Sequence, residues 1–387
     1  MEKNATTINL AKMNLAVHGL VGDIKKAITY YEDPHNLLGK ADFVMANPPF
    51  NVDVIDADKI KNDPRLPFGL PGVNKKGKVS NGNYIWISYF YSYLNNTGRA
   101  GFVMSSQASS AGKTEAEVRR KLIETGHVDI MIAIRSNFFY TRTVPCELWF
   151  LNKAKPREHK DKALMIDARN IYRKVTRKIY DFSPEQLQNI LSIVWLYRGE
   201  TKRFHDLVAS YISKSLEVAV QSIPLDRDYE TVFGRLHKGL EPFLALLPRD
   251  GKQAETVREL TEYLQAYKDN CRIFTKLAQE KSEWWEKVET QNLASLPETL
   301  KELELLSEEN NKLIKEAELM YRLANRLIDV CLNEHNAKEN GTWNAREITS
   351  LKKQTEEARD NAVSQLKLAR YFHHQAEWLV ERFPLCQ

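Results

Sequence analysis

Asp42–Asn51 reads Asp-Phe-Val-Met-Ala-Asn-Pro-Pro-Phe-Asn. The apolar run Phe43–Ala46 is bounded by Lys40 and Asp42 before it and by two prolines after it. Proline has no N–H for a ladder, so the pattern predicts a buried central strand of a parallel sheet that stops abruptly at its carboxyl edge. In open α/β sheets that edge is where ligands bind. Asn47-Pro48-Pro49-Phe50 therefore falls where chemistry is expected.

The tetrapeptide suits the activation of a planar amine. The lone pair of an adenine amino group is delocalised into the ring, which makes the nitrogen a poor nucleophile. Two acceptors aimed at its two hydrogens would favour a pyramidal nitrogen with a free lone pair. The side-chain oxygen of Asn47 is one candidate acceptor and the carbonyl of Pro48 the other. Pro49 fixes the direction of that carbonyl, because a residue before proline is held extended. Phe50 offers a flat face to a base rotated out of its duplex. The plainer reading is an ordinary Pro-Pro turn after a strand. Its recurrence with a following aromatic, by composition alone, is roughly one chain in a few hundred of this length. That rarity favours function.

Outward from the motif, the pattern alternates strands with helices. Ala5–Gly19 predicts a helix stopped by glycine, and Ile28–Tyr31 a possible strand. Asn51–Asn83 is rich in proline, glycine and charge, which predicts a long irregular loop serving as a mobile lid or DNA-contacting segment, with Lys75, Lys76 and Lys78 as candidate contacts. Tyr84–Leu94 and Glu115–Gly126 read as helices. Gly101–Ser105, Val128–Ile134, Cys146–Leu151 and Ala163–Asp167 read as strands. Such alternation predicts a doubly wound α/β domain over residues 1–180.

From Ser183-Pro184-Glu185 onward, with serine as cap and proline at the first helical position, almost everything is helical. A three/four apolar spacing runs from Val257 to Val288, broken only by Lys281. It returns from Leu303 to Cys331, with Asn310 at an inward position, and again from Ile348 to Phe383. The expected organisation is a helical connector over 181–250, then long antiparallel helices over 251–387, an all-α bundle or coiled coil. These stripes form either a self-contained core or a docking extension completed by a partner's helices, with the balance toward a partner.

The totals permit this plan. The chain has 387 residues, enough for two domains, and a net charge of +5, too mild to demonstrate a polyanionic partner. The distribution says more. Lys153–Lys178 holds ten Lys/Arg against three acids, so Arg173 and Lys174 become candidate phosphate contacts. An ordinary solvated face is an equal alternative. Cys146, Cys271, Cys331 and Cys386 are scattered without metal spacing, so no metal site is expected. Isolated thiols, no secretory leader and no apolar run near the ~18 residues of a membrane span suggest a cytoplasmic protein without a membrane partner.

Several stretches in order resemble the modification (M) subunit of type I restriction–modification systems, a DNA adenine-N6 methyltransferase. Besides Asn47–Phe50 they are Leu10–Leu15 with His18-Gly19, Asn83-Tyr84-Ile85-Trp86, Gly98–Met104, Asn137–Tyr140 running on to Pro145 and Trp149-Phe150, Ile166–Asn170, and Tyr197–Glu200. They cover about residues 1–200. The helical remainder fits the family's carboxyl-terminal extension only in general character. The resemblance implies that Asn47, Pro48, Pro49 and Phe50 hold and activate the target adenine. Phe138 or Phe139 would supply a second aromatic wall, with Tyr140 beside them. Glu2 falls where these enzymes place an acid on the ribose of S-adenosyl-L-methionine, and Asp33 and Asp23 are candidates beside that cofactor's adenine. Implied partners are double-stranded DNA, a specificity subunit, a restriction subunit and a second modification subunit.

One departure stands out. The family's Gly-x-Gly cofactor loop and amino-terminal helical domain precede Glu2 in family order. The chain is therefore expected to be the carboxyl-terminal part of such a subunit, with an incomplete cofactor site. The expected function is site-specific adenine-N6 methylation once the missing residues are supplied. The alternative is a catalytically silent module that docks on the specificity subunit.

Overall fold

The computed structural model describes all residues except 140–142, 289–295, 334, 335, 342 and 384–387. It divides into two compact units, Met1–Ile190 and Leu191–Gln387.

The first unit opens with α1 (Ala5–Val17), capped by the Asn4 side chain, which accepts from the Thr6 N–H at 2.8 Å. Then come β1 (Ala41–Ala46), α2 (Ala57–Ile60), α3 (Asn83–Tyr93), β2 (Leu94–Ser105), α4 (Gln107–Ser110), α5 (Lys113–Glu124), β3 (Val128–Ile134), β4 (Cys146–Asn152) and β5 (Leu164–Asp167). A short hairpin, β6 (Arg173–Lys174) and β7 (Tyr180–Asp181), precedes α6 (Pro184–Tyr197). The helix start expected at Ser183 is a reciprocal capping box: the Gln186 N–H donates to Ser183 Oγ at 3.2 Å, and the Ser183 N–H to Gln186 Oε1 at 2.9 Å.

Five strands form one sheet in the order β1-β2-β4-β3-β5. β1 pairs parallel to β2 and β3 parallel to β5, while β4 is antiparallel to both its neighbours. One face carries Ala100, Phe102, Met104, Trp149 and Leu151, buried with Tyr84 and Ile87 of α3 and Val118 and Leu122 of α5. Gly98 must be glycine, because a Cβ there would lie 2.7 Å from the carbonyl oxygen of Ala41.

Three expectations need correction. β1 is an edge strand among the described residues, not a central one. Val44 and Ala46 pack inward, but Phe43 and Met45 on the other face are 78% and 93% exposed. An uninterrupted apolar run reads as doubly buried, yet burial of both faces requires a second layer, and none of the described residues supplies it there. Ile28–Tyr31 is a turn rather than a strand. Its neighbourhood spends its carbonyls differently: Arg65 donates to the carbonyls of Thr29 (3.0 Å) and Glu32 (3.2 Å). The same buried guanidinium donates to the Tyr93 hydroxyl at 3.0 Å, pairs with Asp63 at 2.7 Å and lies 4.0 Å above the Tyr89 ring. Thus the Asn51–Asn83 segment is pinned to the body of the unit.

The second unit is a bundle of α7 (Thr201–Leu244), α8 (Gly251–Lys287), α9 (Leu296–Asn333) and α10 (Ala345–Arg382), each packed on two others in the cycle α7-α8-α9-α10. The periodic residues Leu260, Leu264, Phe274, Leu313, Ala317, Ala358, Ala362 and Ala369 lie in one shared core. The stripes are therefore closed by this chain's own helices. α7, which falls in the expected connector, contributes Phe204, Tyr211, Tyr229 and Phe233 to that core. Asn310 points inward and donates to the carbonyl of Leu366 at 3.1 Å.

Candidate active site

At the carboxyl end of β1 the chain leaves the sheet through Asn47–Phe50 and enters an open cleft of about 480 Å³. Its lining is Asn47, Pro48, Pro49, Phe50, Asn51, Phe139, Val144 and Cys146. The volume lies within the roughly 300–1,000 Å³ of small-molecule pockets. A larger groove of about 710 Å³, lined in part by Ile123, Met131, Trp149 and Met165, contains none of these residues. Chemistry outweighs volume here. Asn47 is exposed, and its amide has no hydrogen-bond partner among the described residues, so its donor and acceptor are open to the cleft.

The motif is braced from behind. Asn51 has φ +56, the left-handed region, which asparagine tolerates better than most residues. Its N–H donates to Asn83 Oδ1 at 2.9 Å, and its own Oδ1 accepts from Asn83 Nδ2 (2.9 Å) and Asn81 Nδ2 (3.0 Å). The Gly82 N–H donates to the Val52 carbonyl at 2.7 Å, and a Cβ on Gly82 would meet that same oxygen at 3.1 Å. The amino end of α3 therefore holds the residue that follows Phe50.

The two aromatic candidates separate. Phe139 lines the cleft, whereas Phe138 packs on Phe182 with ring centroids 4.7 Å apart. Tyr140 lies outside the described residues. Val144 and Cys146 are lining residues that sequence reasoning missed. Cys146 read only as the start of a strand, and burial pushes its thiol up to about 11, so it forms an uncharged wall.

The candidate cofactor acids are not part of this cleft. The carboxylate of Glu2 accepts from the Asn4 N–H at 2.8 Å, and its backbone bridges to Lys26. Asp23 faces His35 Nδ1 at 3.2 Å and Lys25 at 3.6 Å. Asp33 accepts from the Leu37 N–H at 2.7 Å with one oxygen, while the other is buried without a partner among the described residues. Backbone bonds from Glu2 to the 25–27 segment, and Lys25 Nζ donating to the Pro34 carbonyl at 3.2 Å, bring the three acids to one neighbourhood. Among the described residues no glycine-rich turn leaves a strand and enters a helix. None of them forms a group of three or more His, Cys, Asp or Glu placed to hold a metal ion, and no described helix is long and apolar enough to cross a membrane.

The basic candidates also sort by environment. Lys75 and Lys76 are exposed, but Lys78 is committed to Asp56 at 2.9 Å. Arg173 is committed to Asp181, two parallel bonds of 2.9 and 2.6 Å, while Lys174 is exposed.

An α/β sheet with Asn-Pro-Pro-Phe at its carboxyl rim, open to a cleft of about 480 Å³, defines a class, and residues 1–218 match the family described as N-6 DNA Methylase. The chain belongs to that family. It is similar to the methylase subunit of the type I restriction enzyme MjaIX from Methanocaldococcus jannaschii, 40% identical over 186 residues that make up 47% of this chain and 32% of the relative. It is also similar to the HindI methylase subunit from Haemophilus influenzae, 31% identical over 218 residues, 56% of this chain and 47% of the relative. Among solved structures, the type I methyltransferase subunit of Streptococcus thermophilus aligns at 25% identity and a TM-score of 0.43, covering 49% of this chain and 39% of that one. The chain thus spans less than half the length of each.

Proposed function

We propose that this chain carries the adenine-activating half of a type I modification subunit, a site-specific DNA adenine-N6 methyltransferase. The observation that carries this reading is the exposed amide of Asn47, without a hydrogen-bond partner among the described residues, on a cleft walled by Phe50 and Phe139. In it, a flipped adenine stacks against Phe50 or Phe139 and directs its two N6 hydrogens at Asn47 Oδ1 and the Pro48 carbonyl. Accepting those hydrogens would concentrate the lone pair on N6 and make that nitrogen nucleophilic. The brace from Asn81 and Asn83 keeps the acceptors in place, so little reorganisation is needed during reaction.

S-adenosyl-L-methionine is the methyl donor implied by the family. Glu2, Asp23 and Asp33 lie outside the Asn47 cleft, and no glycine-rich turn accompanies them among the described residues, so an incomplete holder for it is part of this proposal. That observation favours a second reading, a silent module acting only as a scaffold. The proposed partners are duplex DNA, a specificity subunit, a restriction subunit and a second modification subunit. Exposed polar surface of the 251–387 helices would provide the docking faces, because their apolar stripes are already buried.

The test is transfer of labelled methyl from S-adenosyl-L-methionine to duplex DNA, by the chain alone and with its companion subunits, read as N6-methyladenine. Asn47→Ala is expected to lower turnover at least about a hundredfold with the fold unchanged. Undiminished turnover would remove Asn47 from the chemistry. Absence of donor binding by calorimetry under every condition would favour the scaffold reading.

A further inference from the structure

Past β5, the chain forms a feature that the base cleft does not use. The β6–β7 hairpin pairs Arg173 with Asp181 and Lys174 with Tyr180, and closes tightly: the N–H groups of Val175 and Thr176 donate to the Ile179 carbonyl at 3.0 and 3.2 Å. From Arg173 to Asp181 it carries four cations and one acid. Arg173 takes that acid, and holds its carboxyl below the usual carboxylate range. Lys174, Arg177 and Lys178 are exposed and make no ion pair among the described residues. They present three uncompensated charges at one tip.

Basic loops on solvated faces are common, and most need no explanation. This one is held. The guanidinium of Arg135, immediately after β3, lies 4.0 Å from the ring of Tyr172, just before β6, and 4.4 Å from that of Tyr180, which opens β7. Those rings touch edge to face at 5.0 Å. The Tyr180 N–H donates to the Asn137 carbonyl at 3.0 Å, and Phe182 packs on Phe138. The next residue, Phe139, lines the base cleft. The cationic tip is therefore tied to the wall of the cleft through short, packed contacts.

We propose that the β6–β7 hairpin grips the phosphate backbone of the duplex from which the base is drawn, with Lys174, Arg177 and Lys178 as the contacts; this rests on the methyltransferase reading above. Flipping a base strains the backbone on either side of it, and cations fixed relative to the cleft hold that backbone in register. Arg173 is a structural member of the hairpin, since its charge is already taken. Polyanionic backbone, rather than an acidic peptide, fits exposed cations along one tip that make no ion pair among the described residues.

The test is binding of a labelled short duplex by the full chain between about 50 and 200 mM salt. The variant Lys174→Gln/Arg177→Gln/Lys178→Gln changes only exposed residues and is expected to keep the wild-type melting curve. Its plot of log affinity against log salt is expected to flatten by about 2 to 3, near 0.9 for each lost phosphate contact. Lys252→Gln/Lys301→Gln/Lys315→Gln, which removes the same charge from exposed helical positions, is expected to leave the slope unchanged. A wild-type slope in the hairpin variant, or equal flattening in both, overturns the proposal and leaves the methyltransferase reading standing, because that reading is decided by Asn47→Ala. Flattening seen with single-stranded RNA and not with the duplex overturns the assignment to DNA. A wild-type chain that shows no salt-dependent duplex binding overturns the proposal as well.

Discussion

Asn47 and Asn83 divide the work at the motif. Asn47 is exposed, lines the cleft and has no hydrogen-bond partner among the described residues; Asn83 is buried and spent on Asn51. Removing the Asn83 amide would strand the Asn51 N–H and leave the Asn51 side-chain oxygen only its bond from Asn81, at a residue already at positive φ. Asn83→Ala is therefore expected to cost about 1–3 kcal/mol, read as a lower urea midpoint. Asn51→Gly should be nearly neutral in backbone terms, whereas Asn51→Val should be harmful, since a branched side chain resists φ +56. Sequence alone marks Asn47 by the prolines after it. It does not reveal that Asn81 and Asn83, some thirty residues on, close the brace, because that pairing depends on where the loop returns.

At the scale of elements, the segment between the motif and α3 has the composition of a flexible lid but the contacts of a fixed strap. Arg65 accounts for the difference: one buried cation satisfies carbonyls from the 29–32 turn, an α3 hydroxyl and Asp63 together. Breaking a buried pair leaves the remaining charge uncompensated, at about 3–5 kcal/mol. Arg65→Ala is expected to destabilise the first unit by that amount. It should also speed trypsin cleavage of the strap at Lys59, Lys61, Lys75 and Lys76 relative to the wild type. Equal digestion of both forms would show that the strap is held by something other than Arg65. The helices of the second unit were more legible, since their three/four spacing extends over several heptads. What spacing leaves open is the identity of the facing helix. Alanines such as Ala317 and Ala362 let the backbones come close, and here the partners are in the same chain.

For the whole molecule, the charge buried in the bundle sets a pH dependence. Asp226 on α7 is 2% exposed, beside Ser222 Oγ at 3.3 Å and the Tyr267 hydroxyl at 3.5 Å. Burial pushes its carboxyl up to about 7, against the pull of those two hydroxyls. The folded chain thus holds a proton that the unfolded chain releases near the ordinary 3.8. The stability so contributed is full below that value, falls as pH rises through about 7, and is flat above; its span is at most about 4 kcal/mol. Asp226→Asn is expected to abolish this slope, seen by comparing helix-monitored denaturation midpoints near pH ~5 and ~8. An unchanged slope would place the titration elsewhere. The first unit has the opposite vulnerability. β1 leaves backbone groups unpaired along one edge among the described residues, beside exposed Phe43 and Met45, a surface that invites association.

Local chemistry was enough to determine the position of the motif, the longer strands and helices that follow it though not the short α2, α4 and β6–β7 hairpin, the helix start at Ser183 and the periodic stripes of the bundle. Each depends on residues adjacent in the chain: prolines that end a strand, a serine that caps, apolar side chains at helical spacing. Tertiary structure alone decided which aromatic faces the cleft, which lysines and arginines are already paired, whether the long loop is loose or strapped, and whether β1 lies inside the sheet or at its rim. Those outcomes turn on contacts between residues far apart in sequence, where one guanidinium or one asparagine satisfies groups from several elements at once.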